Sequence, residues 1–146
     1  MLDLTLAIAH HLLVFSLFGI VFAEFFVLRP GLGGDALVRL ARLDLIYGII
    51  AGLIVFVGFA RAIFAAKGWH YYAHNGFFWA KIGTFALIGL ASVPPTLAYL
   101  RWRKAAAPPS DQEVKRVRFY LHLELALFVP LLGFAAAMAR GYGEFG

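Results

Sequence analysis

The sequence has no cysteine among its 146 residues and only two methionines. The absence of thiols excludes disulfide bonds, thiolate attachment of haem and iron–sulfur clusters held by cysteine. Charged residues are also scarce, at 14% of the chain, whereas 62% of the residues are hydrophobic and the mean hydropathy is +0.82. A soluble domain of this length needs far more polar surface, so the composition indicates a small integral membrane protein.

Four apolar segments divide the chain, and each is long enough to cross a hydrocarbon layer of roughly 30 Å as a helix. The predicted helices cover about 4–28, 36–65, 77–100 and 111–139. Because short connections join them, we predict an all-α fold, with residues 1–146 forming one transmembrane domain, a four-helix up-and-down bundle. The negative Asp3 stands where a cleaved signal peptide has positive charge, so the first helix is expected to be permanent.

Three local signals refine these boundaries. Ser110, or Asp111, with Glu113 just beyond is typical of the start of a helix, here the fourth. Pro94-Pro95 is expected to kink or end the third helix near its far end. The short tail 140–146 is expected to fray.

Basic residues are distributed unequally between the two ends of the predicted bundle. Nine of the thirteen Lys and Arg residues fall at one end: Arg29, Arg39, Arg42, Arg101, Arg103, Lys104, Lys115, Arg116 and Arg118. The other end receives Arg61, Lys67, Lys81 and Arg140. By the positive-inside rule we expect a multi-pass protein of the bacterial inner (cytoplasmic) membrane, with both termini outside the cytoplasm. The net charge of +5 then reflects topology and contact with lipid headgroups, not nucleic acid.

Histidines concentrate at the predicted outer end. They are His10, His11, His70 and His74. If the second connection continues as one helix into the third, His70, His74 and Lys81 lie on one face, since successive residues are about 100° apart. For the same reason, only one of the adjacent His10 and His11 is expected to face the bundle interior.

These residues predict a haem b site. Neutral imidazole is a common ligand of haem iron, copper and zinc, and bundles assemble such sites from facing helices. We expect one axial ligand from helix one and one from residues 70–74, with the propionates near outer cations such as Arg61. For the metal itself, the predicted ligands are His10 and His74. The alternative is that the histidines of residues 70–74 belong to an interfacial aromatic belt and that Lys81 extends to the outer interface.

A second polar layer is predicted near the inner end, consisting of Glu24, Asp44, His122 and Glu124. Arginines at the same depth would make it a structural ion-pair network. Alternatively, buried carboxyl groups could form an acid–base cluster that handles protons or serves the quinone side of a redox protein. His122 and Glu124 lie about 200° apart on a helix, so both cannot face one pocket.

The chain resembles an uncharacterised bacterial family of four-helix membrane proteins, the domain of unknown function 2214. The resemblance rests on segments that occur in this order: IAHHLL, AEFFVLRPGL, RLARLDLIYGIIAGL, FFWAKIGTFALIGL, SVPPTL and LELAL. The helix layout is more remotely similar to HemJ-type protoporphyrinogen oxidases and CopD-like copper-resistance membrane proteins. The HemJ resemblance implies a haem b site involving His10, Lys81 and an inward Glu124. Because Leu123 stands where that pattern has Asn, the resemblance implies haem binding more than protoporphyrinogen oxidation.

Three functions from different classes follow. The first is a haem b-binding membrane protein of redox or electron-transfer type, which would work with a redox protein or a larger membrane complex. The second is a non-catalytic accessory or assembly subunit of such a complex. The third is copper or other metal handling at the outer face, although the absence of cysteine and the presence of only two methionines argue against Cu(I). All three place the chain in a lipid bilayer and leave a homo-oligomer open, and none assigns a catalytic residue.

Overall fold

A computed structural model of the chain describes residues 1–64, 67–105 and 107–145. Its helices are α1 (Leu2–Val27), α2 (Gly34–Phe64), α3 (Gly68–Ala73), α4 (Gly76–Ala105) and α5 (Asp111–Ala139). Within these described ranges there is no strand, and all helices except α3 are long and apolar enough to cross a membrane. The predicted all-α membrane fold is therefore confirmed. The expected end of the second helix at residue 65 lies outside the described residues.

The long helices pack in the cyclic order α1, α2, α4, α5. The most extensive contacts join α1 to α2 and α4 to α5, because short connections hold sequence neighbours side by side. We call the end with the α1–α2 and α4–α5 connections the inner end, and the end with both termini and α3 the outer end. The core extends from the middle of the bundle to the inner end, and its fully enclosed members include Leu17, Val21, Leu28, Leu40, Ile88 and Val114.

The inner connections are set by local turn chemistry. Gly31 has a φ of 74°, in the left-handed region that glycine adopts without strain. Ser110 is the N-cap of α5, and its hydroxyl accepts a hydrogen bond from the Glu113 amide at 3.3 Å. The Glu113 carboxylate in turn accepts from the Ser110 amide at 3.1 Å. The predicted start of the helix near residue 111 is confirmed, and of the two candidate caps Ser110 is the N-cap, in a capping box with Glu113.

Helix α4 continues through Pro94 and Pro95 to Ala105, so the prolines do not end it. Proline is tolerated inside membrane helices where neighbouring helices and hydroxyl side chains support the backbone. Here Pro95 is buried in the bundle. The Ser92 and Thr96 hydroxyls donate to carbonyl groups of the preceding turn at 2.7 and 3.1 Å. Packing therefore overrides the helix-breaking tendency that the sequence suggested.

Asn75 separates α3 from α4. Its side-chain oxygen accepts hydrogen bonds from the amides of Phe77 and Phe78 at 3.0 and 3.2 Å, as an N-cap does. The condition for a shared face of His70, His74 and Lys81, one continuous helix, is thus not met, because an Asn-Gly pair ends one helix and begins the next.

The C-terminal tail is fixed to this same boundary. The Asn75 side-chain amide donates to the Tyr142 carbonyl at 3.0 Å. The Gly76 amide donates to the Gly143 carbonyl, and the Phe145 amide donates to the His74 carbonyl, both at 2.9 Å. Residues 141–145 therefore hold the start of α4 against the end of α5, and the expected fraying of the tail is not observed in its described part.

Candidate functional site

An apolar cavity, which we call the outer cavity, opens between the four long helices toward the outer end. Its volume is about 160 Å³. Each long helix supplies part of the wall: His10, His11, Val14 and Phe15 from α1; Ile54, Val55, Gly58 and Phe59 from α2; Phe78, Lys81, Ile82 and Phe85 from α4; and Leu131, Leu132 and Ala135 from α5. The basic side chains in this lining are His10, His11 and Lys81.

His10 is seated against the backbone of α2. A Cβ atom added at Gly58 would lie 3.3 Å from Cε1 of His10 and 3.7 Å from Nδ1, so the glycine makes room for the imidazole. Nδ1 is buried and has no hydrogen-bond partner among the described residues. A polar ring nitrogen without a partner in an apolar setting is costly, typically about 1–3 kcal/mol. Such a ring is the kind of group that a bound molecule would satisfy.

Three cations at the outer end differ in their surroundings. Lys81 lines the outer cavity, and its ammonium lies 5.3 Å from the centre of the Phe78 ring. Arg61, in contrast, is not part of the lining and lies 3.9 Å from the Asp3 carboxylate, too far for a hydrogen bond but close enough for an ion pair. Lys67 donates to the Tyr71 hydroxyl at 3.1 Å, and that hydrogen bond raises the pKa of Lys67.

The remaining outer histidines are exposed. Nδ1 of His11 lies 2.7 Å from the Ala7 carbonyl, and the residue reaches the mouth of the outer cavity. The rings of His70 and His74 stack on each other with centroids 4.2 Å apart, outside the cavity lining. The predicted stripe of His70, His74 and Lys81 is thus not formed, because the break at Asn75 redirects the chain. Across the described residues no group of three or more His, Cys, Asp or Glu side chains could hold a metal ion.

Near the inner end, carboxyl and hydroxyl groups from all four long helices meet in the bundle interior. Glu24 and Glu124 are only 3% and 1% exposed. The Tyr99 hydroxyl donates to Glu24 at 3.3 Å, and the Thr96 hydroxyl donates to Asp44 at 2.7 Å. The buried Tyr47 neighbours Glu124. We call Glu24, Asp44, Glu124, Tyr47, Tyr99 and Thr96 the inner cluster.

Arg29, Arg39, Arg42 and Arg118 are the arginines expected to pair with these carboxyl groups, and two of them bond to backbone carbonyls instead. Arg118 donates to the Phe25 carbonyl at 2.9 Å and also to the Leu28 carbonyl, both at the end of α1. Arg29 donates to the Phe26 carbonyl at 2.9 Å. In the described part of the chain, the ion pairs are Arg61 with Asp3 and Arg101 with Glu113. The inner cluster is therefore held by hydroxyl groups, and one oxygen of Glu24 and one of Glu124 have no described partner.

His122 does not join the inner cluster. It is exposed on the opposite side of α5 from Glu124, as their 200° separation requires. Its Nδ1 lies 2.9 Å from the Arg118 carbonyl, and its ring packs edge-on against Phe25 with centroids 4.5 Å apart. Of the four residues predicted for the inner layer, the structure brings together Glu24, Asp44 and Glu124.

Comparison with known families adds to this geometry. The model of a family described as "Predicted membrane protein (DUF2214)" matches residues 2–143. The chain belongs to this family. No curated protein and no solved structure shows a significant match to it. The family description gives a membrane location without an activity, so the chemistry has to be inferred from the two polar sites.

Sequence reasoning missed several residues of these sites in the DUF2214 chain. Gly58 belongs to the outer site because its missing side chain leaves room for the His10 ring. Tyr47, Tyr99 and Thr96 belong to the inner cluster through their hydroxyl groups. The sequence does give the depth of these residues in the membrane, and that depth matches the predicted polar layers. Depth alone does not identify them as site residues, because tyrosine and threonine are common in membrane helices.

Proposed function

We propose that the outer cavity is a cofactor site and that the protein is a haem b-binding membrane protein of redox or electron-transfer type. The observation that carries this proposal is His10, a half-buried residue in the wall of an apolar cavity, whose buried Nδ1 has no partner among the described residues. Neutral imidazole is a good axial ligand, and an apolar surround controls the redox potential of haem iron.

The donor set fits haem in part. His10 would supply one axial nitrogen, and Lys81 would face a propionate or act as a second basic ligand. Phe15, Phe59 and Phe85 supply flat apolar walls. A second axial histidine from residues 70–74 has no support, because both of those histidines lie outside the cavity lining. The proposal therefore differs from the sequence prediction by having one histidine ligand.

Volume decides how such a molecule would be held. The cavity volume of about 160 Å³ is close to the roughly 150 Å³ of an engineered cavity that accepts benzene, so it has room for about one ring. It is smaller than the roughly 300–1,000 Å³ of most cofactor pockets. A macrocycle would thus be partly enclosed by the bundle and partly in contact with lipid.

The chain's own residues have defined roles in this proposal. The phenylalanine walls exclude water, and Gly58 lets His10 sit close to α2. The inner cluster contains both hydroxyl donors and carboxyl acceptors, so it can accept and release protons on the opposite side of the membrane core. When bound, haem b would supply one-electron chemistry.

A second candidate is favoured by the small volume of the outer cavity. A single-ring quinone headgroup matches a space for one ring, and its carbonyl oxygens would accept hydrogen bonds from His10 and Lys81. The open mouth would allow a lipid-soluble tail to remain in the bilayer. This candidate keeps a redox function and changes only the cofactor.

The cellular setting is also a proposal. We infer an inner-membrane protein with both termini outside the cytoplasm, because nine basic residues lie at the inner end. A redox protein or larger membrane complex would exchange electrons with the cofactor. An accessory subunit with no cofactor, and metal handling by exposed histidines, are the competing functions.

The test is a reduced-minus-oxidised absorption spectrum of the detergent-purified protein after expression with adequate haem. We expect Soret and α bands that His10→Ala abolishes. His11→Ala is the matched control, since it removes the adjacent, exposed imidazole, and it should keep the bands. Organic extraction of the same preparations detects a bound quinone. A quinone that is present in the unaltered protein and absent from His10→Ala would support the second candidate. If the unaltered protein contains neither haem nor quinone, the redox proposal is refuted and the accessory role remains.

A further inference from the structure

A cleft with three basic side chains lies at the inner end, between the end of α1 and the start of α5. It has a volume of about 650 Å³ and is lined by Arg29, Lys115 and Arg118 above an apolar floor that includes Phe25 and Phe26. We call it the basic cleft. It is far along α1 from the outer cavity and shares no lining residue with it.

Two of the cations are held in place by contacts with the end of α1. The Arg118 guanidinium lies 4.0 Å from the centre of the Phe25 ring, and one of its terminal nitrogens donates to the carbonyls of Phe25 and Leu28. Arg29 uses its Nε to donate to the Phe26 carbonyl. Both contacts occupy only part of each guanidinium, so further N–H groups remain to bind an anion.

Among the described residues, no carboxylate forms an ion pair with these three cations. The lining of the basic cleft contains no Asp or Glu, and the ion pairs found in the described ranges involve other arginines. Three positive charges around one cleft repel each other, and a bound anion would remove that repulsion. Arginine in particular binds phosphate oxygens through its planar array of donors.

The surface next to the basic cleft is suited to a hydrocarbon chain. Phe18, Phe22 and Phe26 are 38%, 46% and 51% exposed and form a continuous row in which neighbouring rings contact each other. The row extends about 12 Å along α1 at 1.5 Å per residue. This is most of the roughly 15 Å that one leaflet contributes to the hydrocarbon core.

We propose that the basic cleft binds the phosphate of an anionic phospholipid and that the phenylalanine row contacts one of its acyl chains. A soluble phosphate compound would use the cations but not the row. The position at the end of four membrane spans, where lipid phosphates lie, makes a phospholipid the occupant that uses both features.

The experiment compares lipid retention in nanodiscs that contain phosphatidylcholine with a minor fraction of phosphatidylglycerol. Native mass spectrometry counts the phosphatidylglycerol molecules that remain on the released protein. Lys115→Gln and Arg29→Gln should each weaken retention roughly tenfold, because each removes a charge-assisted hydrogen bond to the phosphate. Arg116→Gln is the matched control, because it removes an adjacent, exposed charge of α5 that does not line the cleft.

The outcomes separate the possible explanations. Loss of retention in Lys115→Gln and Arg29→Gln but not in Arg116→Gln supports the site. An equal loss in all three variants indicates only general charge attraction and overturns it. Displacement of phosphatidylglycerol by millimolar inorganic phosphate, or equal retention of phosphatidylcholine, would show that the occupant is not an anionic phospholipid. Circular dichroism checks that each variant is folded.

Discussion

The contact between His10 and Gly58 can be tested without knowing the cofactor. Gly58→Ala would place a methyl group 3.3 Å from Cε1 of His10, closer than an ordinary contact of 3.4–4 Å. The ring must therefore move by a few tenths of an ångström. Gly52, two turns away on the same helix, has no atom within 4 Å of an added Cβ and is the matched control.

Two opposing effects determine how Gly58→Ala changes the free energy of unfolding. Replacing glycine by alanine inside a helix stabilises it by roughly 0.5–1 kcal/mol, a value taken from soluble proteins. Overpacking against His10 costs on the order of 1 kcal/mol at this distance. Gly58→Ala should thus change stability little in the unaltered protein. In a His10→Ala background the overpacking disappears, so the same substitution should stabilise the protein by the full helix effect.

A double-mutant cycle isolates the contact, because the helix effect is the same in both backgrounds. The measurement is reversible unfolding in mixed micelles titrated with a denaturing detergent. We expect a coupling free energy of about 1 kcal/mol between positions 10 and 58 and additivity within roughly 0.3–0.5 kcal/mol between positions 10 and 52. Additive behaviour of the first pair would falsify the seating of His10 against Gly58.

Two further predictions concern the inner cluster and the orientation. Tyr99→Phe removes the hydroxyl that donates to the buried Glu24, so it should lower the free energy of unfolding by about 0.5–1.5 kcal/mol. The control Tyr120→Phe should change the free energy of unfolding by less than about 0.5 kcal/mol. Equal effects of the two substitutions would contradict the role of the Tyr99–Glu24 hydrogen bond. Because the chain has no cysteine, a single introduced cysteine shows on which side of the membrane its position lies. His70→Cys should react with a membrane-impermeant maleimide in intact cells, and Gln112→Cys should react only after permeabilisation. The reverse pattern would contradict the proposed orientation.

The helices were predictable because the bilayer imposes a simple requirement on them. An apolar run of sufficient length must satisfy its backbone internally, which a helix does. The start of α5 was also predictable, since the capping box is a local interaction between Ser110 and Glu113. Predictions failed where distant parts of the chain interact. Of the two expected effects of Pro94 and Pro95, a kink or an end, the end does not occur, because neighbouring helices support α4. The tail is ordered because Asn75 binds it.

The polar sites show the same division. Depth along each helix follows from residue number, and it correctly grouped Glu24, Asp44 and Glu124 in one layer. Rotation about each helix axis does not follow from residue number alone. Because of this rotation, His122 faces away from the inner layer. His70 and His74 lie outside the outer cavity.

The sequence by itself determined the membrane class, the helical segments, the family and the depth of each ionisable residue, because these depend on composition, length and local motifs. Only the tertiary structure decided which groups meet. Arg29 and Arg118 bond to carbonyl groups at the end of α1. The inner carboxyl groups instead accept hydrogen bonds from tyrosine and threonine. Packing also placed His10 against Gly58 in an apolar cavity. Such contacts depend on how four helices are rotated against each other, and that rotation is set by the fit of all their side chains together.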